Sequence, residues 1–166
     1  NEDYVNLIDK SSSLFNNYFF DNRLSSEIKK NQLFNDHNLY CVYSGIDNLY
    51  VLEETGLDSG EIEKIFVNEI KEQFNYYDMI FKISDNKYAI ISNFTSDDKV
   101  FLEFEKIRRN ISTKIHNIEG NEISFTVSFA IKKYQDFNMT KERFLSDLDK
   151  MLSLSRAEGG NLVKIS

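Results

Sequence analysis

The feature that most constrains the fold is a predicted β-hairpin near the middle of the chain. Two apolar runs flank four polar residues, Ser84, Asp85, Asn86 and Lys87, and Tyr88 opens the second run. Asp85 and Asn86 both tolerate the positive φ angles that a tight primed turn requires. The pattern predicts paired strands over about residues 78–92. If these residues serve only the turn, glycine could replace both central residues with little effect on folding.

Helical and strand patterns alternate around this hairpin. Apolar residues recur at three- and four-residue spacing over about residues 13–31, 59–74 and 98–116, which predicts three helices. A nearly continuous apolar run over 39–46 predicts a central strand covered on both sides. Strict alternation over 123–131 predicts a strand with one buried face.

The C-terminal part of the chain carries the signals of a last helix and a last strand. Thr140 is a candidate N-cap, and apolar residues follow it at helical spacing. Gly159 and Gly160 end this helix, and residues 162–165 form a short strand.

Composition favours one domain spanning residues 1–166. The chain has 166 residues, of which 41% are hydrophobic, enough for a substantial core. No apolar stretch approaches the roughly 20 residues that span a bilayer, and we find no signal peptide. Cys41 is the only cysteine, so an intrachain disulfide is impossible. Because the chain begins with Asn, we expect a fragment of a longer protein, cytoplasmic or forming the cytoplasmic part of a membrane-anchored one.

The net charge of −7 argues against nucleic acid as a partner, since such partners need a cationic surface. His37 and His116 have no Cys or His companion at ligand spacing, so neither indicates a metal site. Cys41 lies in an apolar run and reads as a small buried hydrophobe. Arg108 and Arg109 could contact an anion, but we expect them to lie on a solvated helix face.

Four segments, taken in order, resemble one known family. Asp9, Leu14, Asn16, Phe20 and Leu24 match the pattern D-x-L-T-G-L-x-N-R-x-x-F-x-x-x-L. Residues 123–130 are similar to V-T-V-S-I-G-V-A, and residues 148–163 to A-D-x-A-L-Y-x-A-K-x-x-G-R-N-x-V. The hairpin turn aligns with Gly-Gly-Asp/Glu-Glu-Phe. The chain therefore resembles GGDEF domains, the diguanylate cyclases that join two GTP molecules into cyclic di-GMP.

The resemblance implies an α+β fold, a palm-like mixed five-stranded sheet flanked by helices. It also implies a Mg²⁺ site made by two acids, one at the end of the first core strand and one in the hairpin. Gly45 and Asn86 stand at these positions, and neither can replace a carboxylate. Asp47 remains beside them, whereas Lys87 would add positive charge to the site. We expect no bound cofactor or metal.

The nucleotide-binding positions implied by the resemblance have also changed. Glu53 stands where the family has an Asn that reads guanine, and Glu61 falls near a guanine-reading Asp. Arg156 replaces a phosphate-binding Lys, and Gly160 replaces a second cation. These changes leave Asp47, Glu53, Glu61 and Arg156 as a vestigial nucleotide site.

The inhibitory site implied by the resemblance has the pattern R-x-x-D just before the hairpin. Asn75 stands at its Arg and Asp78 at its Asp, so the side chain that would fork onto cyclic di-GMP is missing. Tyr76 and Tyr77 between them could stack on a base or serve in packing.

The sequence leads us to expect a degenerate GGDEF domain without cyclase activity. Its expected role is regulatory: a module of a bacterial signalling protein that binds other protein domains or forms a homodimer. The alternative is a receptor that still binds GTP or cyclic di-GMP in the altered cleft. A third interpretation is an active cyclase with relocated metal ligands.

Overall fold

The computed structural model describes residues 6–34, 38–73 and 80–166. Five helices are formed by these residues: α1 (Asn17–Phe34), α2 (Leu49–Glu54), α3 (Ser59–Gln73), α4 (Asp97–Ser112) and α5 (Lys141–Ala157). The same residues form seven strands: β1 (Asn38–Ile46), β2 (Ile80–Ser84), β3 (Lys87–Phe94), β4 (His116–Ile118), β5 (Asn121–Ile123), β6 (Val127–Lys133) and β7 (Val163–Ile165).

Five strands form one mixed sheet in the order β2-β3-β1-β6-β7. The β6–β7 pair is parallel, and the other neighbouring strands are antiparallel. Helices α3 and α4 cover one face of the sheet, and α1 and α5 cover the other. The predicted α+β architecture, a mixed five-stranded sheet flanked by helices, is confirmed.

Strand β1 lies at the centre of this sheet and contributes to both hydrophobic cores. Tyr40 and Val42 pack on the side of α3 and α4, and Cys41 and Tyr43 on the side of α1 and α5. The predicted strand covered on both faces is therefore confirmed. Burial raises the pKa of the Cys41 thiol, as expected for a cysteine that serves as a small buried hydrophobe.

The prediction of one half-buried strand over residues 123–131 is wrong. Strand β5 ends at Ile123, and β6 begins only at Val127. Ser128 and Ala130 are as fully buried as Val127, because helices cover both faces of β6. The alternation of small and large side chains therefore reflects two buried faces that pack side chains of different size. It does not distinguish a buried face from a solvent-exposed one.

Two predicted helix ends also differ from the structure. Helix α1 starts at Asn17, since Ser13 has a φ of 63° and the Asn16 side chain accepts a hydrogen bond from the Phe19 N–H at 3.0 Å. Helix α4 ends at Ser112, and His116 begins the two-stranded β4–β5 hairpin. That hairpin was not predicted, and its strands have only three residues each.

The predicted ends of the last helix are confirmed. The hydroxyl of Thr140 accepts a hydrogen bond from the Arg143 N–H at 3.1 Å and caps α5. Gly159 and Gly160 follow its C-terminus with φ angles of 112° and 73°. Among the residues described, no helix has the length and apolar character needed to cross a membrane.

Candidate functional site

A cavity of about 690 Å³ lies beside the C-terminal end of β1. The β2–β3 turn, helix α2, the start of α3 and the loop after α5 form its walls. Seven residues singled out from the sequence line it: Asp47, Glu53, Asp85, Asn86, Tyr88, Arg156 and Gly160. The structure therefore brings together three of the four residues predicted to form a vestigial nucleotide site, Asp47, Glu53 and Arg156.

Two predicted site residues lie elsewhere. Glu61 does not line the cavity, and its carboxylate forms an exposed ion pair with Lys64 at 3.0 Å. Lys87 forms an ion pair with Asp149 of α5 and lies over the Tyr43 ring, with Nζ 4.8 Å from the centroid. The expectation that Lys87 adds positive charge to the cleft is therefore wrong.

The predicted inhibitory site lies outside the described residues. Asn75, Tyr76, Tyr77 and Asp78 belong to it, and His37 also falls outside the described ranges. Ser84, the first residue of the predicted turn, is exposed at the end of β2.

The hairpin turn differs from the predicted primed turn. Only Asn86 has a positive φ, at 52°, whereas a type I′ turn needs positive φ at both central residues. The pairing of β2 with β3 shifts register between Lys82 and Ser84, which accommodates this backbone. A single positive φ therefore closes the hairpin.

Asn86 does more than close the turn. Its Oδ1 accepts a hydrogen bond from the Ile46 N–H at 2.7 Å, and its Nδ2 donates to the Ile46 carbonyl at 2.8 Å. Both amide atoms are thus used to fasten the hairpin to the end of β1. Glycine at position 86 would lose both of these hydrogen bonds, so we no longer expect the substitution to leave folding unchanged.

Gly45 makes room for the side chain of Arg156. A Cβ at position 45 would overlap the Arg156 guanidinium and lie 2.6 Å from the Asn86 carbonyl oxygen. Arg156 Nη2 donates a hydrogen bond to this same oxygen at 3.2 Å. A cationic group therefore lies where a side chain at position 45 would begin.

The carboxylate of Asp47 is held by three hydrogen bonds and is 5% exposed. Oδ2 accepts from the Thr126 hydroxyl at 2.7 Å and from the Asn161 N–H at 2.7 Å, and Oδ1 accepts from the Ser128 hydroxyl at 2.9 Å. A Cβ on Gly160 would lie 2.6 Å from the Asp47 carboxyl carbon. This acid is packed and satisfied within the fold.

These residues do not fit the divalent metal that the family resemblance implies. Position 45 offers no side chain, Asn86 uses both amide atoms on Ile46, and both oxygens of Asp47 already accept hydrogen bonds. Mg²⁺ needs oxygen ligands in near-octahedral geometry. In the described ranges, no group of three or more His, Cys, Asp or Glu residues is placed to hold a metal ion.

A polar network in the wall of the cavity could not be predicted from the sequence. Glu63 of α3 accepts hydrogen bonds from the Tyr88 hydroxyl and from Lys82, the latter at 2.7 Å. Lys82 also donates to the Ser11 hydroxyl at 3.2 Å. Burial, and next the hydrogen bond to Glu63, raise the pKa of the Tyr88 phenol. The partners lie far apart in the sequence, so no local pattern could reveal them.

Asp9 organises the turn that leads into this network. Its Oδ2 accepts from the hydroxyls of Ser11 and Ser12 and from the Ser12 N–H, at 2.7–2.9 Å. Burial alone would raise the pKa of Asp9, but these hydrogen bonds and the charge of Lys82 outweigh it, and the pKa is lowered. This turn positions Ser11, which lines the cavity.

Arg108 has a structural role that was also missed. It forms an ion pair with Glu105 and donates a hydrogen bond from Nη1 to Asn161 Oδ1 at 2.7 Å. Because the Asn161 N–H also donates to Asp47, Arg108 helps to fix the loop that follows α5. The prediction of a simple solvated helix face is wrong for this residue.

Comparisons with known proteins agree with the fold and the motifs. The family model for the diguanylate cyclase GGDEF domain matches residues 6–162. A search of curated protein sequences gave no match.

Solved structures share the architecture at low sequence identity. The diguanylate cyclase SiaD of Pseudomonas aeruginosa, solved in complex with its activator SiaC, has a TM-score of 0.85 at 16% identity. The match covers 96% of this chain but only 62% of the SiaD chain.

Two further matches are GGDEF domains of Pseudomonas aeruginosa. The GGDEF domain of PA1120 (TpbB or YfiN) has a TM-score of 0.86 at 15% identity, over 95% of this chain and 93% of that one. The FimX GGDEF domain has a TM-score of 0.80 at 13% identity, over 95% and 98%. With the family model spanning nearly the whole chain, these findings show that this protein belongs to the GGDEF domain family.

Proposed function

We propose that this domain does not synthesise cyclic di-GMP and acts as a regulatory or protein-interaction module of a bacterial signalling protein. The observation that carries the proposal is the placement of Arg156 against Gly45. Joining two GTP molecules needs a divalent metal to neutralise the triphosphate and activate the attacking hydroxyl. A guanidinium at the position of a metal-binding carboxylate opposes that chemistry.

The state of the remaining acids supports the same conclusion. Asp47 is enclosed by three hydrogen-bond donors, and Glu63 is paired with Lys82 and Tyr88. Glu53 and Asp85 line the cavity but are exposed, and neither carboxylate makes a side-chain hydrogen bond to another described residue. No described acid therefore combines a free carboxylate with a fixed position at the end of β1.

A turnover assay tests the loss of activity. The purified domain is incubated with GTP and either Mg²⁺ or Mn²⁺, and cyclic di-GMP is measured by mass spectrometry, with an active diguanylate cyclase as the positive control. We expect no product above the level of a protein-free sample. Product that scales with protein concentration would reject the proposal.

The role as an interaction module has support from a relative. SiaD, whose chain includes a region of the same fold, was solved with an activator protein bound. For this chain we propose other protein domains or a second copy as partners and the cytoplasm as the location. Size-exclusion chromatography with light scattering tests the homodimer directly.

The alternative function, a nucleotide receptor, is favoured by one observation. Arg156 lines the cavity and forms no ion pair with any other described residue. It could bind a phosphate through its own charge and fork geometry. Under this alternative, GTP or cyclic di-GMP raises the thermal midpoint of the wild type but not of Arg156→Ala. We expect no shift with either nucleotide at micromolar concentration.

A further inference from the structure

We propose that Arg156 is a built-in cation that replaces the divalent metal of this cleft and fastens the hairpin to the end of α5. The inference rests on the proposed loss of metal binding and adds a mechanism to it. Gly45 and Arg156 form one unit, because the Arg156 guanidinium occupies the space that a side chain at position 45 would fill.

The first step is the geometry at position 45. A Cβ there would overlap the Arg156 guanidinium, and it would lie 3.0 Å from Arg156 Cζ. The guanidinium and any residue larger than glycine therefore exclude each other in this conformation. An aspartate at position 45 could be accommodated only if Arg156 moved away and the Asn86 carbonyl also shifted.

The second step is charge. The family resemblance implies a carboxylate at position 45 and a phosphate-binding cation at position 156. In the structure, the Arg156 guanidinium instead lies where the Cβ of residue 45 would be. The local charge thus changes from negative to positive. Like charges repel, and the repulsion of a divalent ion is twice that of a monovalent one at the same distance. Arg156 therefore discourages metal binding actively, beyond the mere loss of a ligand.

The third step is attachment. Arg156 donates to the Asn86 carbonyl oxygen at 3.2 Å, and the Asn86 side chain binds the backbone of Ile46. The end of α5, the hairpin turn and the end of β1 are thereby joined through one residue of the turn. Other cations near the hairpin serve different partners: Lys82 pairs with Glu63, and Lys87 with Asp149.

A double-mutant cycle tests the Gly45–Arg156 unit. Thermal midpoints are measured for the wild type, Gly45→Ala, Arg156→Ala and the double variant. We expect Gly45→Ala to lower the midpoint by about 3 °C more in the wild type than in the Arg156→Ala background. A cost remains in that background, because the new Cβ still lies 2.6 Å from the backbone carbonyl oxygen of Asn86.

The control cycle pairs Gly45→Ala with Arg143→Ala. Arg143 is an exposed arginine on the same helix and pairs with Asp147. Its effect should add to that of Gly45→Ala. If the Arg156 cycle is as additive as the control, Arg156 does not occupy the space at position 45 and the inference is wrong.

A metal-binding measurement tests the charge argument. Gly45→Asp with Asn86→Asp returns two acids to the cleft, and Mn²⁺ alone is titrated by electron paramagnetic resonance with and without Arg156→Ala. We expect Mn²⁺ to bind at least ten-fold more tightly when Arg156 is absent. Equal affinities would overturn the inference, and if the acidic variant does not fold, the double-mutant cycle decides alone.

The two proposals fail in different ways. Cyclic di-GMP made by the wild type would reject the loss of activity and leave the Gly45–Arg156 coupling untouched. An additive cycle would reject the Gly45–Arg156 contact and remove one support of the loss of activity, which the turnover assay still tests independently.

Discussion

The side chain of Asn86 forms two hydrogen bonds with the backbone of Ile46, one as acceptor at 2.7 Å and one as donor at 2.8 Å. This pairing resembles the exchange of hydrogen bonds between neighbouring strands, but one partner is a side-chain amide. It joins the hairpin turn to the central strand across 40 residues of sequence. A position that the family resemblance assigns to metal chemistry is therefore used for structure.

Removing this amide should destabilise the fold. Asn86→Gly keeps access to positive φ but leaves the buried Ile46 N–H without its partner. We expect a loss of about 1–3 kcal/mol in the free energy of unfolding, measured by urea titration.

Asp85→Gly is the matched control for this variant. Asp85 lies in the same turn, and its side chain makes no hydrogen bond to another described residue. We expect its stability to stay within about 0.5 kcal/mol of the wild type. Equal stability of the two glycine variants would mean that the Asn86 amide contributes nothing.

Asp47 should behave as a structural acid. Asp47→Ala removes the acceptor of three hydrogen bonds, and we expect unfolding to become easier by about 3 kcal/mol or more. Glu53→Ala removes an exposed carboxylate from the same cavity and should change stability by less than about 0.5 kcal/mol. If the Asp47→Ala variant is as stable as the wild type, Asp47 does not stabilise the fold, and a role in binding a ligand is favoured instead.

Gly160→Ala tests the packing of Asp47 from the other side. Its new Cβ would lie 2.6 Å from the Asp47 carboxyl carbon, at a φ of 73°. Gly120 has a similar φ of 83°, and nothing lies within 4 Å of its Cβ position, so Gly120→Ala isolates the backbone strain. We expect the thermal midpoint to fall further in Gly160→Ala. Equal shifts in the thermal midpoint of the two variants would show that the Asp47 carboxylate moves away from the new Cβ at little cost.

The Tyr88–Glu63 pair should make stability depend on alkaline pH. The pKa of Tyr88 is raised in the folded state, whereas an unfolded tyrosine titrates near pH 10. The contribution of Tyr88 is therefore complete below about pH 10 and is lost as the pH rises further. Tyr40 and Tyr43, whose pKa values are also raised, add to the same trend.

Tyr88→Phe measures this contribution. At pH 7 we expect a loss of about 1 kcal/mol, because Glu63 loses a hydrogen-bond donor. The gap between variant and wild type should narrow above about pH 10, and Tyr18→Phe, which removes an exposed hydroxyl, should show no gap at pH 7. A gap that stays constant with pH would contradict the pKa argument.

The main helices and the central strands could be predicted from the sequence because their apolar residues are numerous and periodic. Helix α2 could not, since none of its six residues is fully buried and the helix is too short to show a periodic pattern. The β4–β5 hairpin could not be predicted for a similar reason, because its three-residue strands are too short to show an alternating pattern. For the same reason the sequence predicts a helix that runs on to His116, past its observed end at Ser112.

The composition of the site was largely predictable, but its contacts were not. Gly45, Asn86 and Arg156 were recognised as altered positions from the motif alone. Their mutual contacts join residues that lie 41 to 111 positions apart and meet only through the sheet topology. For the same reason the Glu63–Lys82–Tyr88 network and the reorientation of Lys87 could be found only in the structure.

The most direct test of the proposed loss of metal-dependent nucleotide chemistry is calorimetric titration of the wild-type domain with GTP in Mg²⁺ and in EDTA. We expect no binding, or binding weaker than micromolar, with the same isotherm in both buffers. A tight, saturable isotherm that appears only with Mg²⁺ would contradict the proposal and show that the cleft still assembles a metal–nucleotide site.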